Sequence, residues 1–449
     1  MSYSRELASF IHGVAYEKLP EEVVAKTKDC VLDWLGAVLN AYEHPNITQK
    51  YINFALEMGG VGNLSILGSD QKTNPLWAAF ANGALGHISE VDDGHRESIM
   101  HIGTVVFPVI WALGAEKGIT GHKAIEAAVA GYDLAIRVGE CLGQDHYTIW
   151  HTTATAGTFG ATAAAAKILD LSEEQIVWAL AHAGAQASGL WQFLLDGQVE
   201  AKPFHPGKAV LSGIIAARLA QQNIPGPEHI FEGEKGFCKA VSPSSNYAKL
   251  NDRLGTLYKV SEVNFKGYPT CGQTHSMIDA TQKILKKTPL DPEKIKRIEA
   301  RVYQKAIDVA GILNPRTLEE AKFSIPFCLA FLITKKEITF VNMTEETLKD
   351  STIQNVMKKV ELVFDEDVNK KFPKCRPCKV SIELVDGTIL TEENLYRRGD
   401  PETPMSREEM IDKFNQLTSY RFSEQKRESI VRWTYDMDKI NAFDFESLL

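Results

Sequence analysis

Up to about residue 260, apolar side chains recur at three- and four-residue intervals, the spacing of helices that each bury one face. Val23, Val24, Thr27, Val31, Leu32 and Leu35 fall on one side of such a helix. Pro20 precedes them, where its missing N–H has no helical partner to lose. Residues 122–139, 154–169 and 206–222 are dominated by Ala and other small residues. Helices with such faces approach closely, so a tight bundle is predicted. Ser172 and Gln175 stand at capping-box spacing ahead of another apolar run. Near residue 260 the period changes. Ile298, Ala300 and Val302 alternate with polar neighbours, as do Val360, Leu362 and Phe364. Val380, Ile382 and Leu384 do the same and run into Asp386-Gly387, a strong hairpin signal. Helix-like stretches at 271–287 and 317–334 lie between these strands, and Ser406 with Glu409 opens a last helical segment. The pattern predicts a mainly α protein carrying a smaller α/β unit.

Composition narrows the function classes. The chain has 449 residues, 44% hydrophobic and 24% charged, which excludes a disordered chain, a collagen-like fibre and a polytopic membrane protein. A formal charge of −9 argues against general nucleic-acid binding, which needs a basic face. The seven cysteines are scattered, which does not resemble a disulfide framework. Cys375-Arg-Pro-Cys378 has redox or metal spacing, but no second pair completes a zinc site, so a loop entering a strand is expected there. Arg5, Glu6 and His12 interrupt any leader-like apolar run, and no stretch reaches the ~18 apolar residues of a membrane span. A cytoplasmic location is the expectation.

Ionisable residues concentrate in four places. His87 to Arg96, followed by His101, places three His and three carboxylates within fifteen residues. Asp93, His95 and His101 have metal-ligand atoms but match no metal motif; an acid/base or substrate-binding loop and a merely capping, solvated loop are the other readings. His151, beside Trp150 and before an Ala-rich helix, would be kept neutral by the helix dipole, or would be a hydrogen-bonded core histidine. Lys202, in Ala-Lys-Pro-Phe-His-Pro-Gly-Lys, is either a solvated loop charge or a cation for a carboxylate. Lys266 and His275 flank the passage from helical to α/β texture, and domain junctions are preferred ligand sites. Together these residues suit proton abstraction next to a carboxylate, where a base and cations must stabilise enediolate charge. No GxGxxG, P-loop, GxSxG or HExxH occurs, so dehydrogenase, ATPase, hydrolase and zincin readings lose support.

In this order the segments resemble the MmgE/PrpD family. They are CVLDWLGAVL, HxxEVDDGHR with His101, HTTATAG, AKPFHPGKA, FKGYPTCGQTH, EAKFSIPF and RGDPETPMS. The resemblance spans essentially the whole chain. It implies a large all-helical domain (1–263), an inserted α/β lid domain (264–395) and C-terminal helices returning to the helical domain (396–449). It further implies a homodimer without cofactor or metal, acting on a small di- or tricarboxylate between the domains. The family's pocket residues fall on Glu90, Asp93, His101, His151, Lys202, Lys266 and His275. The chain departs from better-known members. Gly94 takes a threonine position, His95-Arg96 add cations, and Ile312 stands where the decarboxylase has tyrosine.

The leading expectation is a 2-methylcitrate dehydratase-like lyase. One of His101 and His151 would be the base and the other, oriented by Asp93, the acid, with Lys202, Lys266 and Arg96 holding carboxylates. An epimerase acting on a dicarboxylate such as iminodisuccinate is the alternative, with Tyr147 or His275 as second base. A cis-aconitate-type decarboxylase is ranked lower because of Ile312. A non-catalytic carboxylate-binding protein ranks last.

Overall fold

The computed structural model describes residues 2–441. The chain forms two compact units, residues 1–264 with 407–449 and residues 265–406. The first unit is helical. Its principal helices are α1 (Glu21–Asn40), α2 (Pro75–Ile88), α3 (Gly103–Lys117), α4 (Gly121–Tyr147, bent at Gly143), α5 (Thr152–Ile168) and α6 (Phe204–Gln221). Every residue of α5 is buried, which its Ala, Gly and Thr content allows. A methyl group on Gly160 would lie 2.6 Å from Ala135 Cβ and 2.8 Å from the Gly131 carbonyl, so α4 and α5 meet backbone to backbone. The capping box at Ser172 and Gln175 forms as predicted.

The second unit holds α7 (His275–Lys287), β1 (Ile295–Val302), α8 (Ile325–Lys335), β2 (Val360–Phe364), β3 (Cys378–Leu384) and β4 (Ile389–Asn394). The sheet order is β2-β1-β3-β4. β1 and β2 pair in parallel, with Ile298 opposite Val360, and the other pairings are antiparallel. Ile298, Ala300, Val302, Val380 and Ile382 point into one apolar core with Phe327 and Phe331. The β3–β4 hairpin turns through Gly387, whose φ of +88° suits glycine. Cys375 and Cys378 are buried free thiols in the loop and first residue entering β3.

Residues 396–406 belong to the second unit, ten or so residues beyond the sequence-based limit of 395. Their backbone explains the difference. Phe265 N–H donates to the Gly399 carbonyl, and Arg398 N–H to Asp279. The chain rejoins the first unit as α9 (Arg407–Thr418), where Phe414 and Leu417 pack on Gly36 of α1. Among the described residues no helix is long and apolar enough to cross a membrane.

Candidate functional site

In the first unit the ends of α2, α5 and α6 and the loop 89–102 bring four imidazoles into a run. Ring centroids are 4.6 Å apart for His101 and His87, 5.9 Å for His87 and His151, and 5.2 Å for His151 and His205. His87 closes α2 and is 1% exposed; its Nδ1 lies 2.8 Å from Asp92 Oδ2. His101 Nδ1 donates to the Asp93 carbonyl at 2.7 Å and lies 3.3 Å from the same Asp92 oxygen. With Nδ1–H directed at a carboxylate, His87 keeps Nε2 as an acceptor. Burial raises Asp92, but His101 and His87 more than offset it, and its carboxyl lies well below the ordinary range.

His151 is the N-cap of α5, and His205 sits in the first turn of α6. Their Nδ1 atoms are 2.9 Å apart, so one ring donates and the other accepts. Burial first, and then the Lys202 ammonium, hold His151 well below its usual value. Burial, then His87 and Lys202, lower His205 to about 4. Both rings are therefore held towards the uncharged form, and for His151 the first cause is burial rather than the helix dipole named from the sequence. Lys202 precedes His205 by one helical turn, and the His205 amide donates to its carbonyl. The Lys202 ammonium is paired with Glu90, whose backbone has a φ of +57°.

Not every sequence-based candidate joins this group. Asp93 does not orient an imidazole with its carboxylate. Oδ1 accepts the Ile102 and Gly103 amides at the start of α3, and Oδ2 accepts the Tyr132 hydroxyl at 2.6 Å. Burial, then Asp33, raises its carboxyl to about 6. The orienting carboxylate is Asp92, and Asp93 contributes its carbonyl. His95 turns away, with Nδ1 at 2.9 Å from Ser98 Oγ and Nε2 at 3.8 Å from both Glu140 and Glu262. Lys259 already bridges those carboxylates at 2.9 and 2.6 Å. Asp93, His95 and His101 thus do not converge as ligands. Among the described residues, two other groups of three have metal-compatible atoms, His87-Asp92-His101 and His95-Glu140-Glu262. Arg96 is half-buried in the turn at 96–99. Tyr147 ends α4 with its ring 5.1 Å from Trp191.

In the second unit, His275 begins α7, and its Nε2 lies 3.1 Å from the Thr270 carbonyl. Burial, then Arg397, lowers it to about 3, and Lys266 adds to the effect. A histidine so depressed stabilises the fold fully above its ordinary value of about 6.5 and progressively less below it, because the unfolded chain binds a proton that the folded one refuses. His275→Gln removes that dependence. The stability difference between wild type and variant, measured by urea titration, is expected to shift by about 2 kcal/mol against the wild type between pH 7.5 and 5.

Sequence reasoning passed over His87, Asp92, His205 and Trp191. His87 and His205 lie inside quoted motifs, and the i, i+3 spacing of Lys202 and His205 was the available signal. The run thus sets four imidazoles beside one lysine, and burial holds three of them, His87, His151 and His205, below the ordinary histidine value. The comparisons place the chain: the MmgE/PrpD N-terminal domain matches residues 5–249 and the MmgE/PrpD C-terminal domain residues 268–437. The chain belongs to the MmgE/PrpD family. A cis-aconitate decarboxylase of Aspergillus terreus is 24% identical, covering 97% of this chain and 93% of its own. Those of Homo sapiens and Mus musculus are 26% and 25% identical, covering 98% and 96% of this chain and 92% and 89% of theirs.

Proposed function

We propose that the protein is a lyase for a small di- or tricarboxylate, breaking a bond next to a carboxylate. The run of four imidazoles beside Lys202 carries the reading, because such chemistry needs protons taken up and delivered at fixed points while a cation balances growing negative charge. Lys202, exchanging Glu90 for substrate, holds a carboxylate. The neutral His151–His205 pair takes or returns the proton on carbon, and His87 and His101, organised by Asp92, serve the second transfer. Lys266 and His275, in the second unit, are proposed separately as carboxylate-binding residues.

The relatives' names favour CO₂ as the leaving group, a reading the sequence alone had ranked low. In that reaction the C–CO₂ bond breaks, its electrons shift along the adjacent double bond, and a proton is delivered to the far carbon. Dehydration is the second reading, favoured by the two separate proton carriers: one removes the proton on carbon and the other protonates the departing hydroxyl. Neither the relatives nor the geometry favours an epimerase. The homodimer stays a proposal, checked by sedimentation.

Proton NMR in D₂O with cis-aconitate, citrate, 2-methylcitrate and iminodisuccinate is the test. New methylene vinyl signals from cis-aconitate with release of CO₂ are expected, whereas vinyl signals from a hydroxy acid would assign dehydration. Loss of an α-proton signal with no alkene would overturn the lyase in favour of an epimerase. A wholly silent panel would overturn both.

A further inference from the structure

His151 and His205 are 2% and 8% exposed, too little for a substrate carbon to meet either ring. Two aromatic side chains lie on them. Trp191 stands 4.4 Å from His151, and Phe193 packs edge-on 5.2 Å from His205. Both belong to residues 190–203, the segment that also carries Lys202.

Its attachments are few. The Trp191 amide donates to the Ile149 carbonyl at 3.0 Å, and the His151 amide to Gly189 at 2.9 Å. Farther along, Lys50 pairs with Glu200 at 2.6 Å, and the Tyr51 hydroxyl donates to the Glu200 carbonyl. The Lys202–Glu90 ion pair closes the far end. Leu194, Leu195 and Val199 are 54%, 80% and 58% exposed, so they add little apolar burial to the closed position. Gly197, at a φ of +70°, separates the aromatic half from the lysine half. Such a segment opens locally at a lower free energy than the helices beneath it.

We propose that residues 190–203 form a strap that covers the His151–His205 pair with Trp191 and is latched by Lys202–Glu90, and that an incoming carboxylate releases the latch by taking Glu90's place. The substrate's charge would then start the opening, and Trp191 would exclude water once the strap recloses. The proposal rests on the lyase reading for the identity of the anion. The motion itself has a readout without turnover.

Hydrogen exchange on the full-length protein, resolved by peptide mass spectrometry, tests it. The amides of Leu194, Gln198 and Lys202 are expected to exchange faster than those of α5 and α6, and Glu90→Gln to accelerate them about tenfold with both helices unchanged. Citrate, the probe anion, should alter strap exchange alone. Trp191→Ala should raise carbethoxylation of His151 and His205 by diethyl pyrocarbonate about tenfold, with Trp191→Phe restoring most of the protection. A strap exchanging at the rate of α5, or indifferent to Glu90→Gln, would overturn the proposal even if the protein turns over cis-aconitate. Strap opening without any turnover would instead overturn the lyase and leave the strap standing.

Discussion

His151→Gln and His205→Gln are each expected to lower turnover about a thousandfold, within the ~10²–10⁴ that a positioned acid/base group supplies, with the double variant hardly worse than either single one. The Nδ1–Nδ1 hydrogen bond is the reason. One imidazole can accept a proton only while the other, held neutral by burial, keeps its tautomer in place. Removing either ring therefore removes the unit, and losses within a unit do not add. Steady-state kinetics on the substrate found by NMR would decide. Losses that multiply to about a millionfold would mean that the two rings act in separate steps, and the pair would lose its role.

The second large effect concerns stability. Lys413→Met is expected to lower the free energy of unfolding by about 3–5 kcal/mol, as measured by urea titration, because it strands a buried carboxylate. Lys413 in α9 donates to Asp33 of α1 at 2.6 Å and to the Val91 carbonyl at 2.7 Å. Burial already raises the Asp33 carboxyl although Lys413 opposes it, so removing the ammonium leaves the fold to protonate Asp33 or hydrate it. The second bond holds the backbone just before Asp92. Lys413→Met with Asp33→Leu should recover much of the loss, since it leaves no unpaired charge. A single variant as stable as wild type would show that water reaches this pair.

Much of the fold was legible because its signals are local. Small residues in 154–169 predicted the close approach seen at Gly160, and alternation at 298–302 and 380–384 predicted two strands, although not that they pair with each other. The site was legible by segment but not by side chain. Asp92 and Asp93 are adjacent, yet one faces two imidazoles and the other the amides opening α3. His95 leaves the group because the turn at 96–99 folds it towards Glu140 and Glu262. Such directions follow from loop torsions, including the positive φ of Glu90 and Ile99, which no apolar period encodes. His87 and His205 stayed hidden for another reason: a buried histidine in a helix of small residues reads as core.

The distances spanned by Lys413 bear on the order in which the protein is made. Its partners lie 380 and 322 residues earlier. A ribosome adding about 5–20 residues per second needs roughly 15–60 s to travel from Val91 to Lys413. Throughout that time the first unit's helices lack α9, Asp33 lacks its Lys413 partner and the backbone before Asp92 lacks its bond to the same lysine. The whole second unit emerges in the same interval, ahead of α9, and Tyr435 and Asp438, which bond to Asp29, Lys28 and Tyr16 of the first unit, follow later still. A backbone segment next to the imidazole run, made early, thus waits for an element made late before its bond to Lys413 can form.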